Sequence, residues 1–184
     1  MRKVISGLFI SVDGVVESPD QWQFTFDEEM AAALSKTLDS CDTVLLGRVT
    51  YEMWAGFWPS YTGEDASFAD WINNSPKYVV STTRDNVDDW QNSDLIKGDL
   101  ASAVKQLKAG EGKDIAVAGS PGLVASLLEH DLLDQLELVI SPVIAGGGRK
   151  KLFADDAALR KLELVQAQST STGVIIATYR PLAS

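Results

Sequence analysis

Val44-Leu45-Leu46-Gly47-Arg48-Val49-Thr50-Tyr51-Glu52 is an apolar run that reaches a glycine and then changes its period. Thr43 to Leu46 has the composition of a short buried strand, and a helix starts near Thr50. Strand, glycine turn, helix is the arrangement that sets a helix N-terminus at a sheet edge, where free N–H groups and the helix dipole favour an anion such as phosphate. Gly47 lets a ligand approach the backbone, Arg48 offers a planar guanidinium fork, and Thr50 either caps the helix or bonds an anion. A plain strand-to-helix turn reads the same way. The arrangement recurs in Ala116-Val117-Ala118-Gly119-Ser120-Pro121-Gly122-Leu123, where Pro121 suits the first helical turn. Here too a tight turn without a ligand is the alternative. Neither segment has the three-glycine spacing of the dinucleotide fingerprint. A third segment, Val79-Val80-Ser81-Thr82-Thr83-Arg84, ends a buried strand on hydroxyls and an arginine, which makes either a holder for a phosphate monoester or a capped loop.

Working outward, Val4 to Val16 reads as a first strand and its exit, turning at Asp13-Gly14. Asp27 to Ser40 reads as a helix, with Met30, Leu34 and Leu38 at helical spacing and Asp27, Glu28 and Glu29 at the end where the dipole favours negative charge. Strands follow at Lys77–Thr82, Asp114–Ala118 and Leu136–Ile144, and helices at Leu100–Leu107 and Leu123–Leu128. Leu162–Ala167 and Val174–Arg180 form a closing hairpin joined by the polar stretch from Gln168 to Gly173. Strands alternating with helices imply right-handed parallel crossovers, and the hairpin implies an antiparallel end. The expected fold class is therefore α/β: a mixed, mostly parallel sheet with helices on both faces and a C-terminal antiparallel hairpin, in one domain over residues 1–184.

Of the residues, 45% are hydrophobic, as in a globular protein, and the longest apolar runs are too short to span a bilayer. Met1-Arg2-Lys3 leads straight into the first strand pattern with no apolar leader core, so the expected compartment is cytoplasmic. A formal net charge of −10 repels nucleic-acid backbones and anionic lipid heads, so neither nucleic acid nor membrane is an expected partner. It leaves room for a phosphorylated small molecule, which needs only a few local donors. One cysteine, Cys41, and one histidine, His130, do not furnish a zinc site, and no metal is expected. Cys41 reads as a small buried hydrophobe and His130 as an exposed helix-end residue.

In their joint order these segments resemble the dihydrofolate-reductase fold, and more closely the reductase domain of bacterial riboflavin biosynthesis and its stand-alone relatives. The resemblance runs from Ile5-Ser6-Gly7-Leu8-Phe9-Ile10-Ser11-Val12-Asp13-Gly14-Val15 through the two glycine turns and Leu138-Val139-Ile140-Ser141-Pro142-Val143-Ile144-Ala145-Gly146-Gly147-Gly148 to Tyr179-Arg180-Pro181. It implies a three-layer fold that binds NADPH across the C-terminal edge of the sheet. Gly47, Arg48 and Thr50 would then sit at the cofactor's phosphates. Ser81, Thr82, Thr83 and Arg84 would lie near the adenosine ribose and its 2′-phosphate. Gly119, Ser120, Pro121, Gly122 and Leu123 would wrap the pyrophosphate, and Ser11 to Val16 would border the nicotinamide and the substrate. Hydride would pass to a C=N or C=O bond of a small heterocycle, pterin-like or ribosylaminopyrimidine-like.

Folate reductases carry a carboxylate on the inward face of the first helix; counted back from Gly47-Arg48 without a gap, that position is Ala31. Activity on dihydrofolate itself is therefore not expected. For a proton donor, Asp13 comes first, as a strand-end carboxylate beside an apolar pocket whose pKa burial would raise. Asp13 equally reads as the start of a turn. Asp27 or Glu29 comes second, against a role as helix-start carboxylates. The alternative to a reductase is a cofactor-binding or regulatory dimer of the same fold without turnover. Trp22, Phe24, Phe26, Trp54, Phe57 and Trp58 would wall a flat substrate, pack a core or form a dimer face. The riboflavin-type relatives pair, and these surplus aromatics call for burial, so a homodimer is expected.

Overall fold

The computed structural model describes residues 1–63 and 66–182. Its strands are β1 (Val4–Ser11), β2 (Cys41–Gly47), β3 (Lys77–Val80), β4 (Ser93–Ile96), β5 (Asp114–Ala118), β6 (Gln135–Ser141), β7 (Leu162–Ser169) and β8 (Ile175–Pro181). The helices are α1 (Glu28–Asp39), α2 (Arg48–Ala55), α3 (Ala66–Asn74), α4 (Leu100–Ala109) and α5 (Pro121–Glu129). The strands form one sheet in the order β4-β3-β2-β5-β1-β6-β8-β7. The first six run parallel, and β8 pairs antiparallel with both β6 and β7. This is the expected mostly parallel sheet with its C-terminal hairpin.

Period-two alternation sorts the strand residues to two cores. Leu8, Ile10, Leu45, Ile115 and Val117 pack with Val104 of α4 and with Leu123, Val124 and Leu127 of α5. On the opposite face Val44, Leu46 and Val79 pack with Tyr51 of α2 and Ile72 of α3. Met30, Ala33 and Leu34 of α1 meet Phe9, Val139 and Ile176 there too. Successive crossovers therefore place α1 to α3 on one face and α4 and α5 on the other. Asp27 caps α1 by accepting the Met30 N–H at 2.8 Å, and Asp99 caps α4 from Ser102 in the same way.

Several boundaries move. β6 stops at Ser141, short of the expected Ile144, because Pro142 has no N–H to continue the ladder, and Ile144 is left exposed. β3 stops at Val80, before the hydroxyl cluster. α2 starts at Arg48, two residues before Thr50. α3 and β4 have no counterpart in the expected elements. α3 buries only Ala69 and Ile72, and β4 is a four-residue edge strand, so neither repeats its period long enough to stand out.

Glu137 is the charged residue of β6. It is 6% exposed, beside Gly7 in the register, and accepts from the Thr37 and Thr178 hydroxyls at 3.3 to 3.5 Å, with the Lys36 charge acting on it as well. Burial pushes its carboxyl above the usual range. The folded state thus binds the proton more tightly than the unfolded chain, so Glu137's contribution to stability falls as pH rises from 4.5 through that raised value. Glu137→Gln, which keeps the hydroxyl partners and stays neutral, is expected to raise the unfolding midpoint at pH 7 by about 3 °C, the shift that about 1 kcal/mol makes at this size. Its gain should vanish near pH 4 in calorimetric scans; a lowered midpoint at pH 7 would contradict this.

Candidate active site

The parallel strands all end at one edge: β1 at Ser11, β2 at Gly47, β3 at Val80, β5 at Ala118 and β6 at Ser141. In open α/β sheets, ligands bind outside the carboxyl ends of strands, where the strand order reverses. Each sequence-predicted segment lies at this edge, Asp27 and Glu29 included: they reach the β7–β8 turn, which sits beside the end of β6.

The two glycine turns lock together. The Gly47 N–H donates to Ser120 Oγ at 2.9 Å, and the Ser120 N–H donates to Thr50 Oγ1 at 3.0 Å. Thr50 is therefore occupied in bridging the turns. Gly119 has φ +53° and Ser120 φ +54°, a consecutive left-handed pair. A Cβ on Gly119 would stand 3.1 Å from Thr50 Cγ2, so close apposition requires glycine. Pro121 opens α5 and Leu123 is an 8% exposed core residue that seats the helix against β2.

At the third segment Ser81 is buried, and its Oγ accepts from the N–H groups of Thr83 and Arg84 at 3.2 and 3.1 Å. Thr82 and Thr83 are exposed. The Arg84 guanidinium is held by Glu52 at 3.2 Å, by Asp89 and by the Asn86 carbonyl, with its Cζ 5.2 Å from the centre of the Tyr51 ring. Arg48 pairs with the other oxygen of Glu52 at 2.9 Å. Both expected phosphate ligands already share a carboxylate.

The proton-donor expectations change most. Asp13 Oδ1 accepts from the Ser11 hydroxyl at 2.6 Å and the Ala145 N–H at 2.9 Å, while Oδ2 accepts from the Gly146 N–H at 2.9 Å. Ser11 and then the two amides hold its pKa down at about 2, where the expectation was a raised value. Hydrogen bonds to the charged form outweigh the apolar surroundings. Asp27 accepts from the Thr172 hydroxyl and the Met30 N–H, which keep its carboxyl below the usual range. Glu29 accepts the Ser171 N–H at 2.7 Å. Both fasten α1 to the turn between β7 and β8. The inward residues of α1 are Met30, Ala33 and Leu34, with no carboxylate among them.

Among the aromatics, Trp22 is buried and its indole N–H donates to the Glu17 carbonyl, while Trp54 and Trp58 pack against the α2–α3 core with Phe68 and Trp71. Trp54 and Trp58 are only partly exposed, and Trp58 Nε1 is buried without a hydrogen-bond partner among the described residues. Phe24, Phe26 and Phe57 remain exposed. After β6 the sequence marked the glycines but not the cations that follow them. Gly146, Gly147 and Gly148 have φ of +49°, +69° and +70°, and Arg149, Lys150 and Lys151 follow, returning to the β1 exit through a bridge between Val15 and Lys151. Three cations in a row were the available signal. Among the described residues no group of three or more His, Cys, Asp or Glu is placed to hold a metal, and no helix is long and apolar enough to cross a membrane.

A family model described as the RibD C-terminal domain matches residues 2–176. The uncharacterized protein YyaP of Bacillus subtilis (strain 168) is 29% identical over 183 residues, covering 97% of this chain and 94% of its own. A Shewanella sp. PV-4 protein assigned provisionally to riboflavin biosynthesis superposes with a TM-score of 0.77 at 19% identity, over 98% of this chain and 99% of its own. A pyrimidine reductase-like protein from Corynebacterium diphtheriae superposes with a TM-score of 0.71 at 16% identity, over 100% and 93%. At these identities the superpositions show a shared fold.

Proposed function

The chain belongs to the RibD C-terminal domain family, and on that premise we propose that it is a reductase that binds NADPH and passes hydride to a C=N or C=O bond of a small pyrimidine- or pterin-like heterocycle. The observation that carries the reading is the lock between the two glycine turns. Gly47, Thr50 and Ser120 hold a rigid backbone cradle at the carboxyl edge of the sheet. In this reading Gly119, Ser120, Pro121, Gly122 and Leu123 carry the pyrophosphate, with Gly47, Arg48 and Thr50 beside it. Ser81, Thr82, Thr83 and Arg84 face the adenosine ribose and its 2′-phosphate. When bound, the nicotinamide supplies the hydride, and the protein's share is orientation and exclusion of water. Asp13, ionised at neutral pH, holds the exits of β1 and β6 in position and is not the proton donor in this reading.

Calorimetric titration is the direct test. NADPH is expected to bind about tenfold tighter than NADH or better, since one charge-assisted bond contributes about 1.5–3 kcal/mol. Arg84→Ala should weaken NADPH more than NADH. Equal affinities for the two cofactors would remove the 2′-phosphate assignment, and no binding of either would remove the reductase reading.

Dihydrofolate is expected to be a poor substrate, because α1 turns no carboxylate inward. A steady-state rate near the common enzyme value of about 10 per second would overturn this. A second reading, a cofactor-binding or regulatory dimer without turnover, draws support from the engagement of Asp13, Asp27 and Glu29 in hydrogen bonds. Turnover with any aminopyrimidine and NADPH excludes it.

The homodimer is proposed on a different surface from the aromatic cluster. Every residue of β7 is exposed on the free edge of the sheet, including Leu164 and Val165 at 55% and 58%. A bare apolar edge strand invites pairing. A two-fold pair burying more than about 1,000 Å² is expected. Light scattering at micromolar concentration giving the mass of one chain, with or without NADPH, would rule it out.

A further inference from the structure

The proposed site has an unassigned source of positive charge. Arg48 and Arg84 are neutralised by Glu52 and Asp89, whereas Arg149, Lys150 and Lys151 make no ion pair among the described residues. Three adjacent unpaired cations repel one another, and in a chain of net charge −10 carboxylates to pair them are abundant. They line a cleft of about 450 Å³ with Gly122 and Ala125 of α5. A Cβ on Gly122 would lie 3.8 Å from Lys150 Nζ, and one on Gly14, at the β1 exit, 4.0 Å from the Lys151 stem. Arg149 is anchored by donating to the Ala145 carbonyl at 2.9 Å. Of the nearby carboxylates, Glu17 accepts the Lys150 backbone N–H at 2.8 Å, and Asp155 also lines the cleft.

We infer that Arg149, Lys150 and Lys151 form a binding strip for a phosphate group of the ligand that lies across the β1 exit and the start of α5. The inference deepens the reductase reading by placing one phosphate of the bound ligands on this strip. That phosphate belongs either to the cofactor or to a phosphorylated substrate. The guanidinium fork and two ammonium groups match a phosphate's tetrahedral oxygens, and the bare Cα of Gly122 leaves room for them.

The test is calorimetry on the full chain and on Lys150→Ala/Lys151→Ala, with NADPH, NADH and ribose 5-phosphate as separate probes. Both side chains are exposed, so the variant should keep the parent's unfolding midpoint. Loss of about tenfold or more in affinity for NADPH and for NADH alike assigns the strip to the cofactor's phosphates. The same loss for ribose 5-phosphate alone assigns it to a substrate phosphate. Lys150→Arg/Lys151→Arg should restore binding in either case. If the parent binds neither cofactor but its binding of ribose 5-phosphate depends on the strip, the reductase reading fails and the strip stands. Unchanged affinities in the Ala variant, or no binding of any probe by the parent, overturn the strip.

Discussion

Lys77→Met is expected to cost about 3 kcal/mol of folding free energy, in the range found when one partner of a buried charged interaction is removed. For a chain of this length that lowers the unfolding midpoint by roughly 6–12 °C. Lys77 is the first residue of β3 and is fully buried. Its ammonium donates to the carbonyls of Ile72 and Ser75 at 2.9 Å and of Asn73 at 3.2 Å, and lies 4.7 Å from the centre of the Trp90 ring. Two of those carbonyls close α3, where helix geometry leaves acceptors without intrahelical donors and the dipole is negative. Methionine keeps the apolar stem and strands the acceptors. Burial pushes the amine's pKa down to about 8, against 10.5 for the free group. Between those values the unfolded chain binds the proton more tightly, so stability contributed by this residue rises with pH from about 8 to 10.5. The cost of Lys77→Met should therefore be larger at pH 9.5 than at 7.5. Urea unfolding at both pH values checks it; a difference within about 0.5 kcal/mol, the scatter of ordinary surface substitutions, would show that the ammonium is dispensable.

Lys77 also shows why part of the chain resisted reading. In the sequence it begins a strand rich in Val and Tyr, and nothing marks its side chain as the cap of a helix. α3 is held by that cap, whose short-range bonds to backbone carbonyls no residue type announces, and by Trp90 donating to Asn73 at 2.7 Å from the far side of β3. Where local chemistry decides the outcome, the sequence was legible: Asp27 as a helix start, Pro121 and its flanking glycines as a strand-to-helix turn, and the alternation from Leu162 to Arg180 as a hairpin. The glycine turns were legible as separate candidates, but their interlock through Ser120 and Thr50 spans about 70 positions and emerges only when β5 pairs with β2. Charge partners were the least legible. Glu52 lies one helical turn from Arg48, a spacing that could have revealed their pairing, but its second oxygen reaches Arg84 only through the fold. The same folding leaves Arg149 to Lys151 unpaired at the edge where Arg48 and Arg84 were expected to act.

Asp13→Asn is expected to lower turnover by about 100-fold, the loss that a misplacement near 1 Å produces in an oriented site. One carboxylate joins two loops here: Oδ1 takes Ser11 and Ala145, and Oδ2 takes Gly146. Asparagine offers one oxygen in place of two, so its amide faces an N–H of the β6 exit and two donors oppose each other. The run from Gly146 to Gly148, at positive φ throughout, has few internal constraints to hold its place once that clamp is lost. The pH profile separates a clamp from a proton donor. A donor works best with a pKa near the working pH, whereas Asp13 is held near 2 and is ionised from pH 5 to 9. The parent and Asp13→Asn should give parallel rate profiles across that range, displaced by a constant factor. A change in profile shape would return Asp13 to the chemistry. Stability gives an independent readout with a definite sign. The clamp's contribution is present in full above pH 3.8 and is lost as pH falls through about 2, so acid unfolding of Asp13→Asn should lack that component while its response above pH 5 follows the parent.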